Sequence, residues 1–163
     1  MAHPELLLGN QVCFRVYSLE RRITAAYKPL LKRLGLTYTQ YVAMLVLWER
    51  READVGELCS ELGLDTGTVS PLLKRLEAAG LVERRRSELD ERSVRISLTD
   101  RGRRLEEKAL AVPRQLASCL FGGPDAAAEY RELRDSLDRA IARLGEGRGK
   151  EGGPALPKAP RSP

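Results

Sequence analysis

Residues 64–86 read LDTGTVSPLLKRLEAAGLVERRR, a helix pattern that leads into an arginine-rich strand. Asp65 is a preferred N-cap residue, and Gly80 is a preferred helix terminator. The apolar residues between them recur at steps of three and four, which places them on one helix face: Val69, Leu72, Leu73 and Leu76. We expect this face to pack on a core, which leaves the opposite face free to contact a partner.

The neighbouring segments extend this pattern in both directions. A short helix is predicted from about Val55 to Leu62, and the tight turn Gly63-Leu64 joins it to the longer one. Downstream, residues 81–86 and residues 94–98 (VRISL) have strand patterns, and the seven residues between them are polar and charged. Two helices joined by a tight turn and followed by a charged hairpin predict a winged helix-turn-helix.

The exposed face of the second helix and the hairpin carry side chains that suit DNA. Hydroxyl residues can approach phosphates at the positive N-terminus of a helix, and Lys and Arg reach phosphate oxygens from further away. A wing-tip arginine can enter a minor groove, oriented by an acidic neighbour. The predicted DNA-binding residues are Thr66, Thr68, Ser70, Lys74, Arg75, Arg86, Asp90 and Arg92. Periodicity alone fits a solvated helix surface and an ordinary charged hairpin equally well.

Composition limits the other classes of function. The 163 residues are 42% hydrophobic and 31% charged, which is an ordinary globular balance, and the net charge of +5 mildly favours a polyanionic partner. Apolar runs fall short of the roughly 18 residues of a membrane span, and the start MAHPELLLGN lacks the basic region of a signal peptide. We therefore expect a cytoplasmic chain with reduced cysteines and no membrane partner.

The three cysteines and the histidine do not suggest a metal site. Cys13, Cys59 and Cys119 form no CxxC pair, and the single histidine, His3, is not at ligand spacing from any of them. We expect neither a metal nor another cofactor. Cys59 lies in an apolar position of the first short helix, where a buried small hydrophobe is the favoured interpretation.

Long helices flank the predicted DNA-binding region. Apolar residues recur from near Leu6 to Tyr27, and Pro29 is expected to break or restart that helix. The capping box Thr37-Tyr38-Thr39-Gln40 begins a helix that is apolar nearly all round and is therefore expected to be central. Thr99 is predicted to cap the helix after the wing.

The C-terminal part continues with helical patterns. A kink is expected near Pro113, and a last amphipathic helix is predicted from Asp125 to about Leu144. From Gly145 on, the composition changes to Gly, Pro, Lys and Arg, which predicts a disordered tail over residues 145–163.

Several stretches resemble the MarR family of winged-helix regulators. DERSVRISLTDRG, residues 90–102, is similar to the wing signature of that family, and residues 64–86 are similar to its recognition helix and first wing strand. Residues 10–49, NQVCFRVYSLERRITAAYKPLLKRLGLTYTQYVAMLVLWE, resemble the organic-hydroperoxide-responsive (OhrR) branch. The matching features are a cysteine in the first helix, the YKPLLxxLGLTYxQY block and the apolar helix that ends in Trp-Glu.

The resemblance implies a mainly α fold with a β-hairpin wing, and a homodimer built from the terminal helices. The chain would then comprise a dimerisation helix with the sensing cysteine (5–36), the winged helix-turn-helix (37–100), C-terminal dimerisation helices (101–144) and the tail (145–163). It also implies a repressor that binds double-stranded operator DNA when reduced. Oxidation by an organic hydroperoxide would release the DNA.

The resemblance also assigns roles to individual residues. Cys13 matches the cysteine that reacts with peroxide, and Tyr17 matches a tyrosine beside it. Tyr27 and Tyr38 match tyrosines that reach the cysteine from the partner subunit. One subgroup of the family forms a disulfide across the dimer with a second cysteine, whereas the other borrows a small thiol. Cys119 lies close to the position of that second cysteine, so the resemblance predicts the two-cysteine mechanism.

The residues themselves are compatible with this chemistry. A thiolate is the reactive form of cysteine, and a helix N-terminus or hydrogen-bond donors favour it. Cys13 is near the start of the first long helix, Tyr17 is one turn further on, and phenols can donate to a thiolate without adding charge. The sulfenic acid that results can condense with a second thiol. Without the resemblance, a cysteine on an apolar helix face is more often part of a core.

Three other functions compete with a peroxide sensor. A MarR-type regulator can be released by a small phenolic ligand and make no use of Cys13. A thiol peroxidase would need a recycling system and would leave the winged helix-turn-helix without a role, so we do not expect an enzyme. An architectural DNA-coating protein would carry a broader basic surface than a net charge of +5 provides.

Overall fold

The computed structural model describes residues 3–86 and 94–146, which form a mainly helical fold with a small antiparallel sheet. Two short 3-10 turns, Pro4–Leu6 and Leu8–Asn10, come first. The elements that follow are α1 (Val12–Lys32), α2 (Tyr38–Arg50), β1 (Glu52–Asp54), α3 (Val55–Leu62), α4 (Thr66–Ala78), β2 (Val82–Arg86), β3 (Val94–Leu98), α5 (Asp100–Ala109), α6 (Ala111–Leu120) and α7 (Ala126–Glu146). The predicted winged helix-turn-helix is confirmed, with α3 and α4 as its two helices.

Local capping sets the helix boundaries in this region. Thr37 and Gln40 form the predicted capping box, in which the Thr37 backbone N–H donates to Gln40 Oε1 at 2.9 Å. The Asp65 side chain accepts from the backbone N–H of Thr68, and Thr99 Oγ1 accepts from that of Gly102. All three predicted N-caps are therefore confirmed. The turn between α3 and α4 passes through Gly63 at φ 63°, a left-handed conformation that favours glycine.

The core lies around α2. This helix buries Tyr41, Met44, Leu47 and Trp48, as its apolar composition predicts. The four apolar residues of α4 that define its predicted inner face are also buried: Val69, Leu72, Leu73 and Leu76. α4 is thus held by one face against α2, α3 and β2, and its other face remains exposed.

A third strand joins the wing hairpin. β3 is the central strand and pairs antiparallel with β2 on one side and with β1 on the other. In the β1 ladder, Glu52 is opposite Ser97 and Ala53 is opposite Ile96. The sequence did not predict β1, because its three residues, EAD, have no strand pattern and only Ala53 is fully buried. This strand connects the end of α2 directly to the wing.

The first helix differs from the prediction at two points. It begins at Val12 and not near Leu6, because the preceding residues form the 3-10 turns Pro4–Leu6 and Leu8–Asn10. It also continues through Pro29, where a break was predicted. The ring removes one backbone hydrogen bond, but Leu30 and Leu31 directly after it are buried and hold the last turn on the core.

The C-terminal helices agree more closely with the prediction. The expected kink is present as the break between α5 and α6 at Leu110, three residues before Pro113. α7 extends to Glu146, so the first two residues assigned to a disordered tail are helical, and residues 147–163 lie outside the described part. None of the described helices has both the length and the apolar composition that crossing a membrane requires.

Candidate functional site

Cys13 is the second residue of α1, and its side chain is exposed. Tyr17 follows one turn later on the same face of the helix. The phenol oxygen of Tyr17 accepts a hydrogen bond of 2.9 Å from Arg21 Nη1, and the Arg21 guanidinium carbon is 5.6 Å from the ring centroid. Cys13, Tyr17 and Arg21 therefore form a row at four-residue spacing. Sequence reasoning missed Arg21, although this spacing was the available signal.

Tyr27 and Tyr38 are brought together by the packing of α2 on α1. Their ring centroids are 5.1 Å apart, and the Tyr41 ring is 5.7 Å from that of Tyr27. Tyr41 was missed because its place in an apolar helix indicated only a core role. A cavity of about 510 Å³ adjoins this cluster, lined by Thr24, Tyr27, Lys28, Leu31, Lys32, Gly35, Leu36, Thr37 and Tyr38.

The clustered tyrosines keep their protons at neutral pH. Burial raises the pKa of Tyr27 and of Tyr38, and it raises the pKa of Tyr41 to about 12. The neighbouring Tyr130 adds to each shift, because two phenolates side by side repel each other. These phenols are therefore hydrogen-bond donors that can face an anion without carrying a charge.

One chain does not bring the cysteine to this tyrosine pair. Cys13 and Tyr27 lie on the same helix, about four turns apart, which is about 21 Å along the axis at 1.5 Å per residue. A straight helix cannot fold back over that distance. The cavity beside Tyr27 and Tyr38 is therefore available to a group from another chain.

The other two cysteines lie on different elements. Cys119 is exposed in the last turn of α6, which packs against α1 and α7. Cys59 is partly buried in α3, and its Sγ is 3.7 Å from Oγ1 of Thr66. All three thiols are free of disulfide bonds. Within residues 3–86 and 94–146, no group of three or more His, Cys, Asp or Glu side chains has the arrangement needed to hold a metal ion.

The outer face of α4 carries most of the predicted DNA-binding residues. Thr66, Thr68, Lys74 and Arg75 are exposed, and Ser70 is partly buried. The centre of that face is formed by Gly67, Pro71 and Lys74, which are spaced by four and three residues. The sequence reasoning passed over the first two, because neither has a polar side chain.

Thr68 also takes part in the N-cap of α4. Its backbone N–H and its hydroxyl both donate to the carboxylate of Asp65, at 2.9 and 3.0 Å. These hydrogen bonds from Thr68 lower the pKa of Asp65. The hydroxyl is therefore held by the cap, and a DNA phosphate would have to share it with Asp65.

The wing arginines lie in the strands and beyond them. Arg85 pairs with Glu83 at 3.0 Å, and Arg95 pairs with Glu52 of β1 at 2.8 Å. Arg86 is the last residue of β2, and its side chain lies outside the described part of the structure. Asp90 and Arg92 also lie outside the described residues. Their predicted contacts with DNA stay predictions.

Comparison with known families identifies the chain. Residues 25–109 match the model of the family described as Transcriptional regulator SarA/Rot. This is a MarR-type winged-helix regulator of the SarA/Rot family. The match spans the end of α1, the winged helix-turn-helix and α5, so it covers the elements that position the recognition helix and the wing.

Individual relatives of this regulator are known in sequence and in structure. The organic hydroperoxide resistance transcriptional regulator of Bacillus subtilis is 52% identical over 106 residues, which is 65% of this chain and 72% of that protein. Reduced AbfR bound to DNA, the AbfR protein being from Staphylococcus epidermidis, superimposes with a TM-score of 0.70. It is 34% identical and the match covers 88% of this chain and 99% of AbfR. Disulfide-formed AbfR gives a TM-score of 0.62 at 35% identity, with 85% and 92% covered.

Proposed function

We propose that this regulator is a peroxide-sensing repressor, which binds operator DNA as a reduced homodimer and releases it when Cys13 is oxidised by an organic hydroperoxide. The exposed thiol of Cys13, one turn from the phenol of Tyr17 at the start of α1, carries the proposal. The relative from Bacillus subtilis is an organic hydroperoxide resistance regulator, and AbfR has reduced and disulfide forms, which supports the same chemistry.

A homodimer completes the proposed sensor. Large apolar side chains are exposed near both ends of the chain, with Leu6 79%, Val12 76% and Leu144 67% accessible, and such surfaces are typical of interfaces. Cys13 and Tyr27 are about 21 Å apart along α1, at about 1.5 Å per residue. If the α1 helices of two subunits run antiparallel, the Cys13 end of one helix comes beside the Tyr27 end of the other. Cys13 of one subunit then faces Tyr27 and Tyr38 of the other.

The proposed reaction consists of two steps. The Cys13 thiolate attacks one peroxide oxygen, the O–O bond breaks, and the leaving alkoxide takes a proton to become an alcohol. Cys13 is left as a sulfenic acid. The thiol of Cys119 from the other subunit then attacks that sulfur, and water leaves as the disulfide forms. The protonated Tyr27 and Tyr38 donate hydrogen bonds to the sulfur and stabilise the thiolate before the attack.

Disulfide formation would change the spacing of the DNA-reading helices. The two sulfurs can bond only when their Cα atoms are about 6 Å apart, which pulls the terminal helices of the dimer together. Two recognition helices must match half-sites roughly 34 Å apart, and the displaced pair no longer does so. The side chains proposed for the contact are those of the α4 face and the wing: Thr66, Thr68, Ser70, Lys74, Arg75, Arg86, Asp90 and Arg92.

The proposal also covers where and how the protein works. Its partner is DNA and its resting state needs reduced thiols, so we place it in the cytoplasm. Oxidation serves as a signal, and we do not propose an enzyme, because each disulfide must be reduced before the chain can respond again. Sustained consumption of peroxide with dithiothreitol as reductant would instead indicate a thiol peroxidase.

Fluorescence anisotropy of a labelled operator tests the proposal. The operator duplex is first selected from a random-sequence library with the reduced protein. One equivalent of cumene hydroperoxide should then release wild-type protein, whereas the Cys13→Ser variant should bind equally well before oxidation and stay bound after it. The Cys59→Ser variant is the matched control, and it should be released like wild type.

Mass analysis without reductant identifies the second thiol. A covalent dimer that contains a peptide linking Cys13 to Cys119 is expected. A small thiol bound to Cys13 would show that the one-cysteine mechanism operates instead. Normal release of the Cys13→Ser variant by peroxide would overturn the sensing role altogether.

The cavity beside Tyr27 and Tyr38 supports one second candidate. Its volume of about 510 Å³ and its mostly apolar lining fit a small aromatic molecule. The regulator would then be released by a phenolic ligand and not by oxidation. Salicylate that lowers operator affinity equally in wild type and in Cys13→Ser, combined with no effect of peroxide, would favour this alternative.

A further inference from the structure

A second groove, of about 580 Å³, adjoins the tyrosine cavity, and Lys32 and Gly35 line both. Three parts of the chain enclose it: the end of α1 with the turn that follows, the junction between α4 and β2, and one face of α5 along most of its length. Its apolar lining comes from Leu34, Leu81 and Leu105. This volume is in the usual range for sites that hold small molecules.

The groove is strongly basic. Its cations are Lys32, Arg33, Arg101, Arg104 and Lys108, and its lining includes one carboxylate, that of Glu107. In the part of the chain that the structure describes, none of these five cations lies within 4 Å of a carboxylate oxygen. The nearby acids are paired elsewhere, Asp100 with Arg103 and Glu106 with Arg51.

Helix stability explains only some of these charges. Lys32 and Arg33 lie at the C-terminal end of α1, where the helix dipole favours cations. Arg101 lies in the first turn of α5, where the dipole disfavours a cation. Its side chain passes close to Gly80, where an added Cβ atom would lie 3.8 Å from Arg101 Nη1. A cation in a position that the helix dipole disfavours, beside a groove lined by four others, favours an anion-binding site there.

We propose that this groove binds a small organic anion, with a phosphate or carboxylate held by Arg101 and Arg104 and an apolar part against Leu34, Leu81 and Leu105. Guanidinium groups bind both kinds of oxyanion through paired N–H donors, which suits the two arginines to the charged end. Because the groove also has an apolar lining, we expect an organic anion and not an inorganic one to bind there.

The position of the groove favours a small molecule over the DNA backbone. It reaches α4 at Ala79, beyond the end of the helix opposite to Thr66, and those two ends are about 20 Å apart along the axis. It reaches the wing at Leu81, before β2 begins and at the end of the strand opposite to Arg86. A ligand there would join α1, α4 and α5 without occupying the proposed DNA face.

Calorimetric titration of the full-length reduced protein with phenyl phosphate tests the proposal. One site per chain is expected, and phenol, which lacks the charge, should not bind. The R101Q/R104Q variant should bind phenyl phosphate at least tenfold more weakly. The R114Q/R131Q variant has the same change in charge at exposed arginines of α6 and α7, and it should bind like wild type.

Three outcomes would overturn the proposal. The first is that phenyl phosphate shows no saturable binding, and the second is that the two double variants bind it equally well. The third is that a non-operator DNA duplex displaces phenyl phosphate and also binds more weakly to R101Q/R104Q. The last would make the groove a contact for the DNA backbone. The Cys13→Ser variant should bind phenyl phosphate like wild type, so this proposal and the proposed peroxide response can fail independently.

Discussion

The indole Nε1 of Trp48 donates a hydrogen bond of 2.9 Å to the backbone carbonyl of Gly102. The bond is buried and joins the end of α2 to the first turn of α5, directly after the wing. The ring centroid of Trp48 is also 6.2 Å from that of Tyr41, and the Tyr41 ring packs on that of Tyr27. A continuous row of aromatic side chains therefore connects the tyrosine cavity with the base of the wing.

The Trp48→Phe variant should be less stable than wild type, because the indole donor is lost and the phenyl ring that replaces it is smaller. We expect a decrease of about 1–2 kcal/mol in the free energy of unfolding, the usual range for a buried hydrogen bond with one partner removed. Urea denaturation of the reduced protein measures it. The control is Tyr41→Phe, which removes a hydroxyl from the same core, leaves this bond intact and should therefore lower the free energy of unfolding by less. Equal stability of both variants would contradict the role given to the indole.

The Gly102→Ala variant should be strongly destabilised. A Cβ atom at Gly102 would lie 2.1 Å from the carbonyl oxygen of Leu81 and 3.2 Å from Leu98 Cδ2. Since the first of these is backbone, α5 or the wing must shift, at a cost of about 3 kcal/mol, the upper part of the range for overpacking. Thermal denaturation measures the effect, and Gly9→Ala is the control, because the nearest atom to a Cβ at Gly9 is 3.8 Å away. Equal melting temperatures for the two variants would exclude this close contact.

The Arg21→Met variant should slow the reaction of Cys13, if the proposed sensing function holds. Arg21 donates to the oxygen of Tyr17, so the hydroxyl hydrogen of Tyr17 remains available for the sulfur of Cys13. Loss of this arrangement should lower the rate of sulfenic acid formation by roughly threefold to tenfold, equivalent to about 0.5–1.5 kcal/mol.

Stopped-flow measurement of this rate across a pH series checks the role of Arg21. The matched control is Arg22→Met, the next residue on the same exposed stretch of α1. Equal rates in both variants at every pH would rule out a positioning role for Arg21. They would leave the role of Cys13 itself untouched.

Stability should fall steeply at alkaline pH. The pKa values of Tyr27, Tyr38 and Tyr41 are raised in the folded protein, whereas tyrosines in the unfolded chain ionise near pH 10 (about the reference value). Above that pH the folded state binds more protons than the unfolded state, so the stabilisation present below pH 10 is lost as the pH rises.

Urea midpoints between pH 9 and about pH 12, where the buried Tyr41 ionises, measure this loss. The Tyr41→Phe variant removes one of the three titrating groups, so its midpoint should depend less on pH. If the urea midpoint of Tyr41→Phe fell with pH as steeply as that of wild type, Tyr41 would ionise as freely in the folded protein as in the unfolded chain.

The helix-turn-helix was predictable because its signals are local. The caps at Thr37, Asp65 and Thr99 act over three residues, and the inner face of α4 follows from a short repeat. β1 and the passage of α1 through Pro29 depend instead on packing between distant segments. Neither leaves a periodic pattern in the sequence.

The candidate sensor was predictable only in part. The family resemblance implied that Tyr27 and Tyr38 reach the cysteine of the partner subunit, which stays a prediction; the distance of 5.1 Å between their ring centroids was not predicted. The addition of Tyr41 to that cluster and the bond between Arg21 and Tyr17 depend on how α1 and α2 pack and on side-chain orientation. Residue spacing can nominate such contacts, but it does not determine them.

The short strand β1 has a consequence for how this regulator can diversify. It fixes the register of β3 by pairing with Ser97, Ile96 and Arg95 at the root of the hairpin. Insertions or deletions between β2 and β3 therefore leave the direction of both strands unchanged. We therefore expect that a change in the length of the connection between β2 and β3 would leave the link between α2 and the central strand of the sheet intact.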